Sequence, residues 1–192
     1  MFKLLCVLIF RVLGWKFINK IPADLRSFVF VGAPHTSNAD IIPTMAMAYF
    51  MKRNTKFVIK NQWLKAPLGI FLRSVGAIGV DKNLIQKSGS KNTTELMACL
   101  FKEHKDLVLM ISPEGTRSPN SNWKSGFYYI AQKANVPIVL GYADYEKKEA
   151  GLGEVIYLSN FEEDMQRITS FYRNIKGKNP QNFKLDSKFQ EG

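Results

Sequence analysis

The sequence predicts an α/β fold, a sheet flanked by helices, and three observations carry that reading. Short β-branched and aromatic runs alternate with longer stretches of helical spacing, which argues strands covered by helices. At 192 residues and 46% hydrophobic content, the chain can build one sizeable core. Two of the apolar runs, "SFVFV" and "VLMIS", stop abruptly in turn-rich polar segments. At such strand ends the reactive groups of α/β proteins usually sit.

The first element is a hydrophobic N-terminal helix. Leu4 to Phe10 are apolar without a break, and the pattern resumes as "VLGWKFI" through Ile18. Taken to Ile18 it makes a helix only about 22 Å long, short of a bilayer's ~30 Å core. No small-residue cleavage site follows, and Arg11 and Lys16 interrupt it, so a signal peptide does not fit. The basic punctuation, with Trp15 and Phe17 near its end, reads either as a helix in a membrane interface or as a core helix capping the domain.

Strands are expected at Phe28–Gly32, Lys56–Ile59, Ala77–Val80, Leu107–Ile111, Ile138–Tyr142 and Val155–Leu158. Helices are expected at Asp40–Met51, Trp63–Arg73, Thr93–His104, Gly126–Ala134 and about Glu162–Ile175. Asn92 with Glu95 offers a capping box for the third of these. The organisation is then an N-terminal helix (1–20), one catalytic-sized domain (21–175) and a polar tail (176–192) expected to fray. There is no internal repeat.

Charge and cysteines narrow the partners. Lys and Arg number 27 against 16 Asp and Glu, a formal net charge of +11, which favours anionic surfaces or substrates. The positive charge is dispersed, and neither an aromatic–basic RNA signature nor a helix-turn-helix pattern appears, so nucleic acid is not the expected partner. Cys6 and Cys99 sit apart in helical apolar patterns, fitting a reducing compartment and no metal or redox pair.

The first polar segment, "GAPHTSNADIIP", places His35 five residues before Asp40. On one straight helix such positions diverge by about 140°, so the two meet only if the chain turns between them. Pro34, Thr36, Ser37 and Asn38 supply turn chemistry. Asp40 could then hold Nδ1 of His35 and leave Nε2 free as a general base toward a hydroxyl. The alternative is that Asn38 or Asp40 caps the helix and His35 is incidental. The second segment, "SPEGTRSPNSNWKSGF", delivers Glu114, Gly115, Thr116 and Arg117 to the same kind of edge. Gly115 permits close backbone approach, and the Arg117 guanidinium is a planar fork matched to phosphate oxygens. Lys60 and Lys82, each near a predicted strand end, would add positive charge beside His35.

Together these stretches resemble the four blocks of the glycerolipid acyltransferases: "HTSNAD", "KNQWLKAPLGIFLRSVGAIGVDK", "SPEGTRS" and "VPIVLG", in the family's order from about Phe28 to Tyr142. The resemblance implies a glycerolipid acyltransferase-like central mixed sheet flanked by helices. It implies transfer of a fatty acyl group from an acyl-CoA or acyl carrier protein thioester to a hydroxyl of a lysophosphatidic acid-like acceptor. His35 is implied as the base and Asp40 as its orienting acid. Lys60, Lys82, Glu114, Gly115, Thr116 and Arg117 are implied as the acceptor-binding set, with no metal and no resident cofactor.

A peripheral place on an anionic membrane surface, on its cytoplasmic face, follows from the lipid substrate, the N-terminal helix and the charge. The chain departs from the family at Pro34, where asparagine is common, and at Lys82, where arginine is usual. An ammonium cannot make a bidentate fork, so an acceptor outside the glycerolipids stays open beside the main reading. So does a catalytically silent lipid-binding protein of the same fold.

Overall fold

The alternation of side chains along Phe28–Gly32 divides the core in two. Phe28 and Phe30 point to one face of the sheet, and Val29 and Val31 to the other. The strand is buried on both faces and so reads as a continuous apolar run. The computed structural model describes residues 2–65, 67–80 and 90–190. Among these, one sheet is formed by β1 (Lys16–Asn19), β2 (Phe28–Gly32), β3 (Asn54–Lys60), β4 (Ala77–Val80), β5 (Leu107–Ile111), β6 (Ile138–Asp144) and β7 (Glu149–Ile156). Their order is β1-β7-β6-β2-β5-β3-β4. Every pairing is parallel except β6 with β7, so the sheet is mixed, as expected.

Helices α1 (Phe2–Val12) and α2 (Ile41–Phe50) cover the Phe28/Phe30 face through Val7, Phe10, Ala46 and Met47. Helices α4 (Thr93–Glu103), α5 (Gly126–Ala134) and α6 (Phe161–Tyr172) cover the other through Met97, Phe127, Ile130, Met165 and Ile168. A short helix α3 (Leu68–Ser74) precedes β4. Asn92 caps α4 by accepting from the Glu95 amide at 2.9 Å; the returning Glu95 carboxylate takes the Lys91 amide, one residue earlier than a standard box.

Several boundaries differ from the sequence reading. The N-terminal helix ends at Val12, and Lys16–Asn19, expected as its continuation, is a strand. Its register is tight: a Cβ on Gly151 would stand 2.0 Å from the Ile18 carbonyl oxygen, so only glycine lets β1 approach β7. The expected helix at Trp63–Arg73 is a 3-10 turn at Asn61–Leu64 followed by α3, whose N-cap is Pro67. β7 begins at Glu149 rather than Val155, because Asp144 accepts from the Glu146 and Lys147 amides and folds the chain back immediately after β6.

The tail, expected to fray, is docked on the domain over its described part, residues 176–190. Phe183, Leu185 and Phe189 pack on the core, and Asp186 is buried. No helix among the described residues is long and apolar enough to cross a membrane.

Candidate active site

The parallel strands β2, β3, β5 and β6 all end at one edge, and the neighbours β2 and β5 define its centre, with Val31 opposite Ile111. From β2 the chain goes to α2 on one face, and from β5 to α5 on the other. The crevice outside such a divergence is where open α/β sheets bind ligands. A cavity of about 760 Å³ lies there, lined on its polar side by His35, Asp40, Gly115, Thr116 and Arg117. Its apolar side includes Met45, Phe57, Leu68 and Leu72.

His35 and Asp40 meet. The chain leaves β2 through a cis Ala33–Pro34 peptide and turns into a 3-10 segment at Asn38–Asp40. Ser37 caps that segment by accepting from the Ala39 amide. Asp40 closes the box: its Oδ2 accepts from the Thr36 and Ser37 amides, each at 2.9 Å. The same Oδ2 lies 3.2 Å from Nδ1 of His35. One carboxylate therefore both closes the capping box and contacts the His35 imidazole. Burial pushes the Asp40 carboxyl up, but hydrogen bonds from His35, the Ser37 amide and Tyr145 outweigh it and hold it below the ordinary range. A charged Asp40 fixes the tautomer with Nε2 free and stabilises an imidazolium when one forms.

Glu114 is buried beneath the His35 turn. It is 4% exposed and is not among the residues lining the cavity. Its Oε2 accepts the His35 amide at 2.8 Å and the Ser112 hydroxyl at 3.4 Å, so it ties the second loop beneath the first. Its Oε1 is buried with no hydrogen-bond partner among the described residues. Burial raises this carboxyl to about 7, against the pull of the His35 and Ser112 bonds and with the help of the Asp40 charge.

Gly115, at φ +66, lets the chain turn up to the cavity. Thr116 and Arg117 are exposed at its rim. Lys60 ends β3 at the same edge, paired with Val80, and Lys82 lies outside the described residues.

Three residues near the site escaped the sequence reading. Lys124 crosses Gly115, its Nζ 3.1 Å from where a Cβ would stand. Tyr145, the residue after β6, donates its hydroxyl to Oδ1 of Asp40 at 2.9 Å. Asn179 bonds to Thr36 from the tail. Only for Tyr145 was a signal available: a polar aromatic one step past a buried strand at the reactive edge. Among the described residues no group of three or more His, Cys, Asp or Glu could hold a metal ion.

This arrangement can activate a hydroxyl beside a cationic rim and an apolar wall. Comparison with protein families matches the Acyltransferase model over residues 16–139. The chain belongs to the Acyltransferase family. That family covers glycerolipid acyltransferases, and membership supports an O-acyltransferase that moves an acyl group to a lipid. Comparison with curated proteins and with solved structures gives no significant match. The matched span contains both loops that line the cavity's polar side, while Tyr145 and the whole tail lie beyond it.

Proposed function

We propose that the protein transfers a fatty acyl group from an acyl-CoA or acyl carrier protein thioester to a hydroxyl of a lysophosphatidic acid-like lipid, with His35 as general base. Nε2 takes the hydroxyl proton as the oxygen attacks the thioester carbonyl. The new C–O bond forms, the C–S bond breaks, and the imidazolium returns its proton to the departing thiolate. Asp40 stabilises that imidazolium, and no acyl-enzyme intervenes. Arg117 holds the acceptor's anionic group, with Lys60 and Lys82 as further positive positions.

One observation carries this reading: His35, Asp40 and Arg117 line the same cavity as Met45, Phe57, Leu68 and Leu72, so one space offers base, anion site and acyl wall. Purified protein given acyl-CoA or acyl carrier protein donors with lysophosphatidic acid should yield the acylated acceptor and free thiol in equal amounts. Hydrolysis without transfer, or no thiol release with any hydroxyl acceptor, would contradict it.

The reading includes peripheral attachment to the cytoplasmic face of an anionic membrane. Its support is an exposed apolar row on α1, Leu4, Leu5, Leu8 and Val12, continued by Leu68, Ile70 and Phe71 of α3. Phe2 and Phe71 pack edge to face at 4.8 Å and join the two helices. Leu68 belongs both to this surface and to the cavity wall, which suits a substrate arriving from lipid.

A further inference from the structure

The turn that carries His35 is held from outside the matched family region. Thr36, buried between His35 and Ser37, accepts the Asn179 amide on its hydroxyl at 3.1 Å. Its carbonyl accepts the Asn179 side-chain amide at 3.0 Å. Gly177 is buried against the same turn: a Cβ there would stand 2.8 Å from the Thr36 hydroxyl and 3.0 Å from Cβ of Pro34. One residue earlier, the Lys176 carbonyl accepts the Tyr145 amide at 2.8 Å. Tyr145 in turn donates its hydroxyl to Asp40.

The rest of the tail grips the second loop. Trp123 Nε1 donates to the Lys184 carbonyl at 3.0 Å, and the Ser187 amide to the Ser121 carbonyl at 2.9 Å. Residues 176–187 thus touch both segments that build the site, the His35 turn and the stretch that follows Arg117.

We propose that this C-terminal strap, through Asn179 and Tyr145, positions the His35–Asp40 pair and is a working part of the active site. The inference rests on the acyl-transfer reading for its kinetic consequence but not for its geometric one. Asp40 offers two oxygens: the His35 side takes Oδ2, and Tyr145 occupies Oδ1. Without the Tyr145 hydroxyl, Oδ1 loses this partner and the carboxylate plane is held from the Oδ2 side. Removing the Asn179 side chain takes away the donor to the Thr36 carbonyl, and removing the Thr36 hydroxyl takes away the acceptor for the Asn179 backbone amide, so each change frees one of the two outside ties on the turn from histidine to acid. Displacements of the order of 1 Å at a catalytic pair cost about a hundredfold in rate.

The test uses the full chain and four variants: Asn179→Ala, Tyr145→Phe, Thr36→Val and Thr36→Ser. The first three should lower kcat roughly ten- to a hundredfold while leaving KM for the acyl donor within about twofold. Thr36→Ser, which keeps the accepting hydroxyl, should restore most of kcat.

An independent readout comes from the imidazole 15N resonances, readily assigned because the chain has only two histidines. The Nδ1–H signal of His35 should be protected from exchange in the wild type and in Thr36→Ser, and lost in the other three. Wild-type kcat and an intact Nδ1–H signal in folded Asn179→Ala and Tyr145→Phe would overturn the inference. If the wild type shows no acyl transfer, the functional reading fails, and the resonance pattern still decides whether the strap positions His35.

Discussion

Glu114 makes the stability of this protein depend on pH in a direction opposite to that of an ordinary paired carboxylate. Its folded value of about 7, against 4.5 for a free side chain, means the folded state holds the proton more tightly. At about 1.4 kcal/mol per pH unit this amounts to ~3 kcal/mol. The sign follows from the raised value: the contribution is complete below 4.5 and is lost as pH rises toward and past 7. About 2.5 kcal/mol of it falls between pH 5 and pH 8.5.

Glu114→Gln removes the titration while keeping an oxygen to accept the His35 amide. The variant should therefore gain on the wild type as pH rises. For a chain near 200 residues, ~2.5 kcal/mol corresponds to about 5–10 °C in Tm. Thermal unfolding of both proteins at pH 5 and pH 8.5 reads the difference of differences, in which titrating groups that do not interact with Glu114 cancel. A Tm gap that is the same at both pH values, or that moves toward the glutamate at pH 8.5, would refute the buried, protonated Glu114.

Arg117→Lys should raise the acceptor KM roughly tenfold and leave the donor KM unchanged, because an ammonium cannot reproduce the fork; steady-state kinetics varying each substrate in turn reads it. Tyr172→Phe removes a fully buried hydroxyl that lies 2.6 Å from the Val31 carbonyl and 3.1 Å from that of Gly141. It should cost about 1–3 kcal/mol, seen as a lower denaturant midpoint. Leu8 is 60% exposed, and Leu4→Glu with Leu8→Glu should leave Tm nearly unchanged but reduce co-sedimentation with anionic vesicles several-fold. Equal vesicle binding by this variant would remove α1 from the membrane contact.

Much of this was legible in the sequence because it depends on local pattern. The β2 and β5 strands announce themselves as unbroken apolar runs, and the turn chemistry of Pro34 to Asn38 is what lets His35 reach Asp40. The strand β1 was not legible: "KFIN" carries no period of its own and exists by pairing with Glu149–Leu152, more than a hundred residues on. The same reason hid the structural place of Glu114 and Asn179, and the partner of Tyr145. Each acts on the His35 turn across 79 to 143 residues of chain. The tail misled because its lysines and its Gly and Pro read as solvent-exposed, while Phe183, Leu185 and Phe189 are too widely spaced to show a period.

The central claim is that His35 acts directly on the acceptor hydroxyl. Acyl transfer by folded His35→Ala protein, measured beside the wild type and followed by intact-mass analysis for acyl adducts, tests it most directly. The histidine sits on a loop at the sheet edge and is part-exposed, so the variant should keep its Tm within a few degrees. Its turnover should fall by ~10²–10⁴, with no acyl group on the protein in either form. Near-normal transfer by the variant, or an acyl adduct on Cys6, Cys99 or a serine that goes on to acylate the acceptor, would contradict the account.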